Sequence, residues 1–214
     1  MLNIHRFSFN PFQVNTYLIW DETKECAIID PGCYSDSECT ELTGFILENE
    51  LRPVRLLFTH CHIDHIAGMS FVSRHYSLEP EAHPDGLPFI RHAEKTGFIY
   101  GFDSLETMDP RLPLKEGDLI RFGNSSLEVI ETPGHANGSV CFISHPDRFV
   151  ITGDVLFSQS IGRSDLPTGD YDLLIRNIRQ KLLTLPPDYR VYPGHGPDTT
   201  IGFESYSNPF LTGD

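Results

Sequence analysis

The run Thr59-His60-Cys61-His62-Ile63-Asp64-His65 concentrates three imidazoles and a carboxylate directly after the apolar segment Val54 to Phe58. Neutral imidazole nitrogens and a hard carboxylate oxygen form a mixed donor set that suits zinc, iron or manganese, and catalytic sites of this type keep one coordination position open. Side chains on a strand alternate between its faces, so consecutive donors can reach one ion only from a loop leaving the strand. On such a loop His60 and His62 grip one ion, while Asp64 and His65, a turn further on, aim elsewhere. The competing reading is a solvated polar loop that is merely rich in histidine. Structural zinc sites rely on cysteine and close all four positions, so this histidine-rich run points to chemistry.

Three later segments repeat one arrangement: an apolar run, a glycine, then a single donor. Pro133-Gly134-His135 follows Leu127 to Thr132, Thr152-Gly153-Asp154 follows Phe149 to Ile151, and Pro193-Gly194-His195-Gly196 follows Arg190 to Tyr192. Glycine lets the backbone turn sharply and pass close to an ion. Each segment alone is an ordinary turn signal; together with the first cluster they predict four loops converging at one edge of the sheets. His5, His75, His83, His92 and His145 lack this context and read as surface or packing residues.

These elements, THCHIDH at 59 to 65, PGH at 133 to 135, GD at 153 to 154 and GHG at 194 to 196, resemble in order and spacing the metallo-β-lactamase fold superfamily. The resemblance extends over nearly the whole chain, including the Asp30-Pro31-Gly32 turn. Within the superfamily, Gly153 to Phe157, Ile161 to Asp165 and Tyr192 to Pro197 are similar to the short type II glyoxalases, the hydroxyacylglutathione hydrolases, with persulfide dioxygenases as near neighbours.

The resemblance implies an α/β fold, a four-layer αββα sandwich, with His60, His62 and His135 holding one divalent metal and Asp64, His65 and His195 a second. Asp154 would bridge them. Zinc leads as the metal, with iron and manganese as alternatives. Two cations acidify a water held between them, making hydroxide the implied nucleophile on a small-molecule thioester such as S-lactoylglutathione. Asp64 and Asp154 are the implied catalytic carboxylates, Asp64 steering protons as well as ligating. A dioxygenase would instead use one iron on His60 or His62 with His135 and Asp154. A lactonase of the same fold, a β-lactamase and a non-catalytic scaffold are further alternatives. Against the β-lactamase, Asp154 stands where a cysteine-bearing enzyme has its thiolate; against the scaffold stands the intact donor set.

Composition limits the partners. Sixteen Lys and Arg against thirty Asp and Glu give a formal charge of −14, which disfavours a nucleic-acid backbone as ligand. The 214 residues suit one domain spanning 1–214. Cys26, Cys33, Cys39, Cys61 and Cys141 are scattered, without paired metal spacing, which fits a reducing compartment. Cys61 reads as a buried thiol between donors that point the other way. No segment approaches membrane-spanning length, so the expectation is a cytoplasmic protein acting on a small molecule, its oligomeric state open.

The elements that must carry the donors are legible as periodicity. Strands are predicted at Ile4 to Phe9, Thr16 to Trp20, Ala27 to Ile29, Leu56 to Thr59, Leu119 to Phe122, Leu127 to Thr132, Val140 to Ser144, Phe149 to Thr152 and Arg190 to Tyr192. A helix capped by Ser35 or Asp36 runs toward Leu51, and a second spans Ile66 to Tyr76. A third runs from Asp170 to Leu185, its Leu174, Ile178 and Leu182 facing the core and Pro186-Pro187 ending it. The stretch from Pro84 to Pro113 is the least regular and reads as an insertion over the site; ordinary packing is the leading reading for each of its Phe98, Tyr100 and Phe102, with lining a substrate pocket as the alternative. Arg163, on the loop after Asp154, is the substrate-contact candidate, able to pair with a carboxylate in two-point geometry. Its alternative is a salt bridge to Asp165 or Asp170. Ser164-Asp165 stand where long type II glyoxalases place an aromatic.

Overall fold

Strands with apolar residues at successive positions must bury both faces. The computed structural model, which describes residues 1–212, shows how they do so. One sheet holds β1 (Asn3–Phe9), β2 (Val14–Trp20), β3 (Glu25–Ile29), β4 (Arg52–Leu57), β5 (Pro80–Ala82) and β6 (Leu112–Pro113) in that spatial order. The second holds β7 (Leu119–Phe122), β8 (Ser125–Glu131), β9 (Val140–Ser144), β10 (Phe149–Gly153), β13 (Arg190–Pro193) and β14 (Thr199–Thr200), in the order β14-β13-β10-β9-β8-β7. A small hairpin, β11 (Leu156–Phe157) and β12 (Ser160–Ile161), leaves the end of β10.

Period-two alternation divides neighbouring side chains between separate cores. Tyr17, Ile19, Ala27, Ile29 and Leu57 meet Leu127, Val129, Phe142 and Ile151 between the sheets. Leu18, Ile28 and Leu56 face the other way, onto helices α1 (Asp36–Glu48), α2 (Met69–Tyr76) and α3 (Leu87–Thr96) through Leu42, Met69 and Ile90. Cys141, Ile143, Val150 and Val191 pack outward on α4 (Tyr171–Asn177) and α5 (Ile201–Ser207) through Leu174 and Ile201. Three cores between four layers make the αββα sandwich.

Local chemistry sets the ends of the helices. Ser35 caps α1 in a reciprocal capping box with Glu38, and Asp170 caps α4 by accepting from the Leu173 amide at 2.9 Å. The predicted Asp170–Leu185 helix is α-helical only to Asn177 and then widens into a π turn over Ile178–Leu182. A repeat of four residues exceeds the 3.6 of an α-helix, and the wider turn keeps Ile178 and Leu182 on the sheet. The second helix begins at Met69 rather than Ile66, because residues 63–68 are spent on the donor loop, which is tied down by Gly68 N–H to the Pro31 carbonyl at 2.7 Å. β4 ends at Leu57, before the predicted Thr59, since the Thr59 amide leaves the ladder to donate to Asp30 Oδ1 at 2.7 Å.

The stretch from Pro84 onward is more regular than its proline and glycine content predicts. It contains α3, with Pro88 in the first turn where a proline nitrogen forfeits no hydrogen bond. Leu174 has no exposed surface and presses on the backbone of Gly134, whose φ of +134° is open only to glycine. Leu174→Ala is expected to lower the unfolding free energy by about 2–5 kcal/mol, read from the shift in urea midpoint.

Candidate metal centre

Each predicted donor sits just beyond the end of a strand, and the structure brings all seven together. His60, His62, Asp64 and His65 follow β4; His135 follows β8; Asp154 follows β10; His195 follows β13. Three groups have donor atoms all within 4.8 Å of one another: His60, His62 and His135; His60, His65 and Asp154; Asp64, His65 and His195.

The loops are held from behind. The Asn15 side chain and the Tyr17 hydroxyl donate to the Pro193 carbonyl at 2.9 and 2.7 Å, and the Asn15 amide donates to the Gly194 carbonyl at 2.7 Å, so β2 of one sheet clamps the His195 loop of the other. The Asp170 amide donates to the Gly134 carbonyl at 2.8 Å and docks the His135 turn on α4. Gly194 passes so close to Asp154 that a Cβ there would lie 2.2 Å from Asp154 Oδ1 and 2.8 Å from His65 Cε1.

Four of the five histidines are oriented through Nδ1. His65 Nδ1 lies 2.9 Å from Asp30 Oδ2, His135 Nδ1 2.8 Å from the Arg163 carbonyl, and His195 Nδ1 3.0 Å from the Phe12 carbonyl. Thr59 Oγ1 donates to Asp30 Oδ2 at 2.5 Å and so accepts from His60 Nδ1 at 3.2 Å. With Nδ1 donating to these partners, each ring turns Nε2 inward, the orientation that metal-binding histidines require.

His62 contributes Nδ1 instead, 3.1 Å from His60 Nε2 and 2.9 Å from His135 Nε2. The inward Nε2 atoms of His60 and His135 therefore both converge on His62 Nδ1 at hydrogen-bond distance. Burial lowers the pKa of all three, His60 furthest and His62 to about 4, and the neighbouring imidazoles add to the effect in His60 and His62. A cation is the partner that would satisfy all three at once.

The other side of the centre is anionic. Asp154 Oδ1 faces His65 Nε2 at 3.3 Å, without the alignment of a hydrogen bond, and both atoms are buried and otherwise unpartnered. Asp154 Oδ2 lies 3.6 Å from both His135 Nε2 and His195 Nε2, and Asp64 Oδ2 lies 3.1 Å from His195 Nε2. Burial alone would raise the carboxyl pKa of Asp154 and depress the imidazole of His65. Their mutual attraction, joined by Asp64, Asp30, His195 and His135, reverses both shifts. Lone pairs aimed inward, two unpaired buried polar atoms and a mixed N/O set all fit a site for divalent metal.

The centre floors a cleft of about 640 Å³. Arg163 lies on its rim but pairs with Asp165 through Nε–Oδ1 at 2.9 Å and Nη2–Oδ2 at 2.8 Å, the structural alternative read from the sequence. Of the three predicted aromatics, Tyr100 lines the cleft; Phe102 is buried beneath Phe12 with ring centroids 5.9 Å apart; Phe98 is two-thirds exposed and does not line it. Cys61 is buried in the outer core, as expected, and burial pushes its thiol pKa up. Sequence reasoning passed over Asp30 and Thr59 as supports and Phe12, Phe89 and Leu166 as cleft walls. The one available signal for Asp30 was a carboxylate closing the apolar run Ala27 to Ile29.

Comparison with known proteins agrees with this geometry. The profile described as the metallo-beta-lactamase superfamily matches residues 9–195. The chain belongs to the metallo-β-lactamase superfamily. The hydroxyacylglutathione hydrolase GloC of Haemophilus influenzae is 38% identical over 212 residues, covering 98% of each sequence. Among solved structures, the BLEG-1 B3 metallo-β-lactamase has a TM-score of 0.88 at 34% identity, covering 99% of this chain and 100% of its own. TTHA1623, in a di-iron-bound form, has a TM-score of 0.86 at 34% identity over 97% of this chain and 100% of its own. This member of the superfamily is a metallo-hydrolase.

Asp30 orients His65 directly and His60 through Thr59, so Asp30→Asn tests the support behind both imidazoles. The variant is expected to stay folded by circular dichroism and to bind divalent metal about 10–100-fold more weakly in a competitive chelator titration.

Proposed function

We propose that this metallo-hydrolase cleaves thioesters in the manner of the hydroxyacylglutathione hydrolases, with His60, His62 and His135 holding one divalent cation and Asp64, His65 and His195 a second. The observation that carries the reading is the position of Asp154, whose Oδ1 faces His65 while Oδ2 faces both His135 and His195. One carboxylate thus addresses both donor groups. Zinc and iron both suit the donor set.

Bound there, two divalent cations would lower the pKa of a shared water and polarise the thioester carbonyl. The protein's own groups do the rest. Asp64 reaches His195 at 3.1 Å and borders the cleft, so its carboxylate can both ligate and accept the proton released by the attacking water. The thiolate leaves without a protein acid, because a thiol of pKa about 8.5 is an adequate leaving group. Phe89 stands edge-on to His62, ring centroids 5.1 Å apart, and shields one side of the reacting centre from water. A single-iron dioxygenase would need two histidines and one aspartate, leaving the group of Asp64, His65 and His195 without a purpose; that group favours the hydrolase.

The test is release of free thiol from S-lactoylglutathione by protein of measured metal content. Asp154→Asn is expected to disturb both metal positions and lower kcat by about 100-fold or more. In His195→Ala, loss confined to one metal equivalent is expected; equal loss of both equivalents overturns the division of ligands. A wild-type protein carrying two metals yet inert toward every thioester overturns the hydrolase reading.

A further inference from the structure

The cleft above the metal centre has a chemistry of its own. Its apolar wall is assembled from four separate parts of the chain: Phe12 after β1, Pro88 and Phe89 on α3, Tyr100 beyond α3, and Leu166 on the loop before α4. The wall starts at the donors, where the Phe89 ring meets His62, and runs outward to Tyr100, whose ring centroid lies 6.4 Å from that of Phe12. Phe12 and Tyr100 both line the cleft and keep 43% and 51% of their surface exposed, and whatever part of that ring surface a ligand covers is removed from water.

Cationic partners are scarce beside this wall. Among the described residues Arg163 is the sole lysine or arginine lining the cleft, and its Nε and Nη2 are both engaged by Asp165. Asp85 adds a carboxylate on the same lining. A small hydroxylated acyl group such as lactoyl would leave most of the wall wet, whereas a hydrocarbon chain would cover it.

We infer that the site, read as a thioester hydrolase, is selective for S-acyl thioesters with a hydrocarbon acyl chain, held along Phe89, Phe12, Tyr100 and Leu166 while the carbonyl meets the metal centre. Phe89 and Leu166 are then specificity-determining residues. This rests on the proposed hydrolase reading, and it deepens that reading by naming the acyl class. The reaction itself is unchanged: water adds to the carbonyl carbon, the carbon–sulfur bond breaks, and the products are a carboxylate and a thiol.

The experiment compares acetyl, butyryl and hexanoyl thioesters of one thiol, glutathione, on metal-loaded protein, and measures acetate and hexanoate binding to the same protein by titration calorimetry. The expected result is kcat/KM rising about threefold per added methylene, with hexanoate binding more tightly than acetate in the same order. Phe89→Ser and Leu166→Asp should each flatten both chain-length series; Leu166 lies on a partly exposed loop, so its variant guards against a folding failure in the first. A flat series in the wild-type protein overturns the inference, as does a steep series untouched by either variant. Preferential hexanoate binding without hydrolysis of any thioester would sink the hydrolase reading and leave the acyl-chain pocket standing.

Discussion

Five imidazoles and two carboxylates cannot share a space a few ångströms across without positive charge between them, and the rest of the structure is organised around that constraint. His60 and His135 turn Nε2 onto His62 Nδ1 about 3 Å away, and Asp154 presents an unpartnered oxygen to an unpartnered His65 nitrogen. Such an arrangement costs the folded protein free energy until a cation is supplied. The fold withstands the cost because four of the five imidazoles, those of His60, His65, His135 and His195, are fixed from behind by Asp30, Thr59 or a backbone carbonyl.

The two halves of the centre meet the constraint differently. On one side three histidines are kept neutral by burial and by one another, ready to ligate. On the other, carboxylates hold His65 and His195 toward the protonated form, so cation binding there displaces protons. Asp154 belongs to both halves, which is why a single carboxylate dominates the electrostatics of the site.

The two-sheet architecture makes this possible. Strand ends from both sheets open at the same edge, and β2 reaches across to grip the backbone around Gly194 and His195. The cleft wall is likewise shared among the loop after β1, α3 and the loop before α4, none of which could form it alone. Rigid strands fix the donors, and the connecting segments supply the shape above them.

The amino-acid order alone singled out the candidate donors that the structure brings together, because ligand chemistry is written in residue type and local spacing: His-x-His, then Asp-His, then glycine-donor turns after apolar runs. It also marked the caps at Ser35 and Asp170, and its alternation of strands and helices suited the αββα sandwich that the family resemblance implied. Two-residue strands such as β6, β11 and β14 were too short to leave a period, and α3 was hidden by the prolines and glycines around it. Only the tertiary structure decided that Asp30 stands behind His65, thirty-five residues away, that Arg163 turns to Asp165, and that Phe12, Phe89 and Leu166 share one wall. Those facts depend on how distant segments meet in space, and no local periodicity records such meetings.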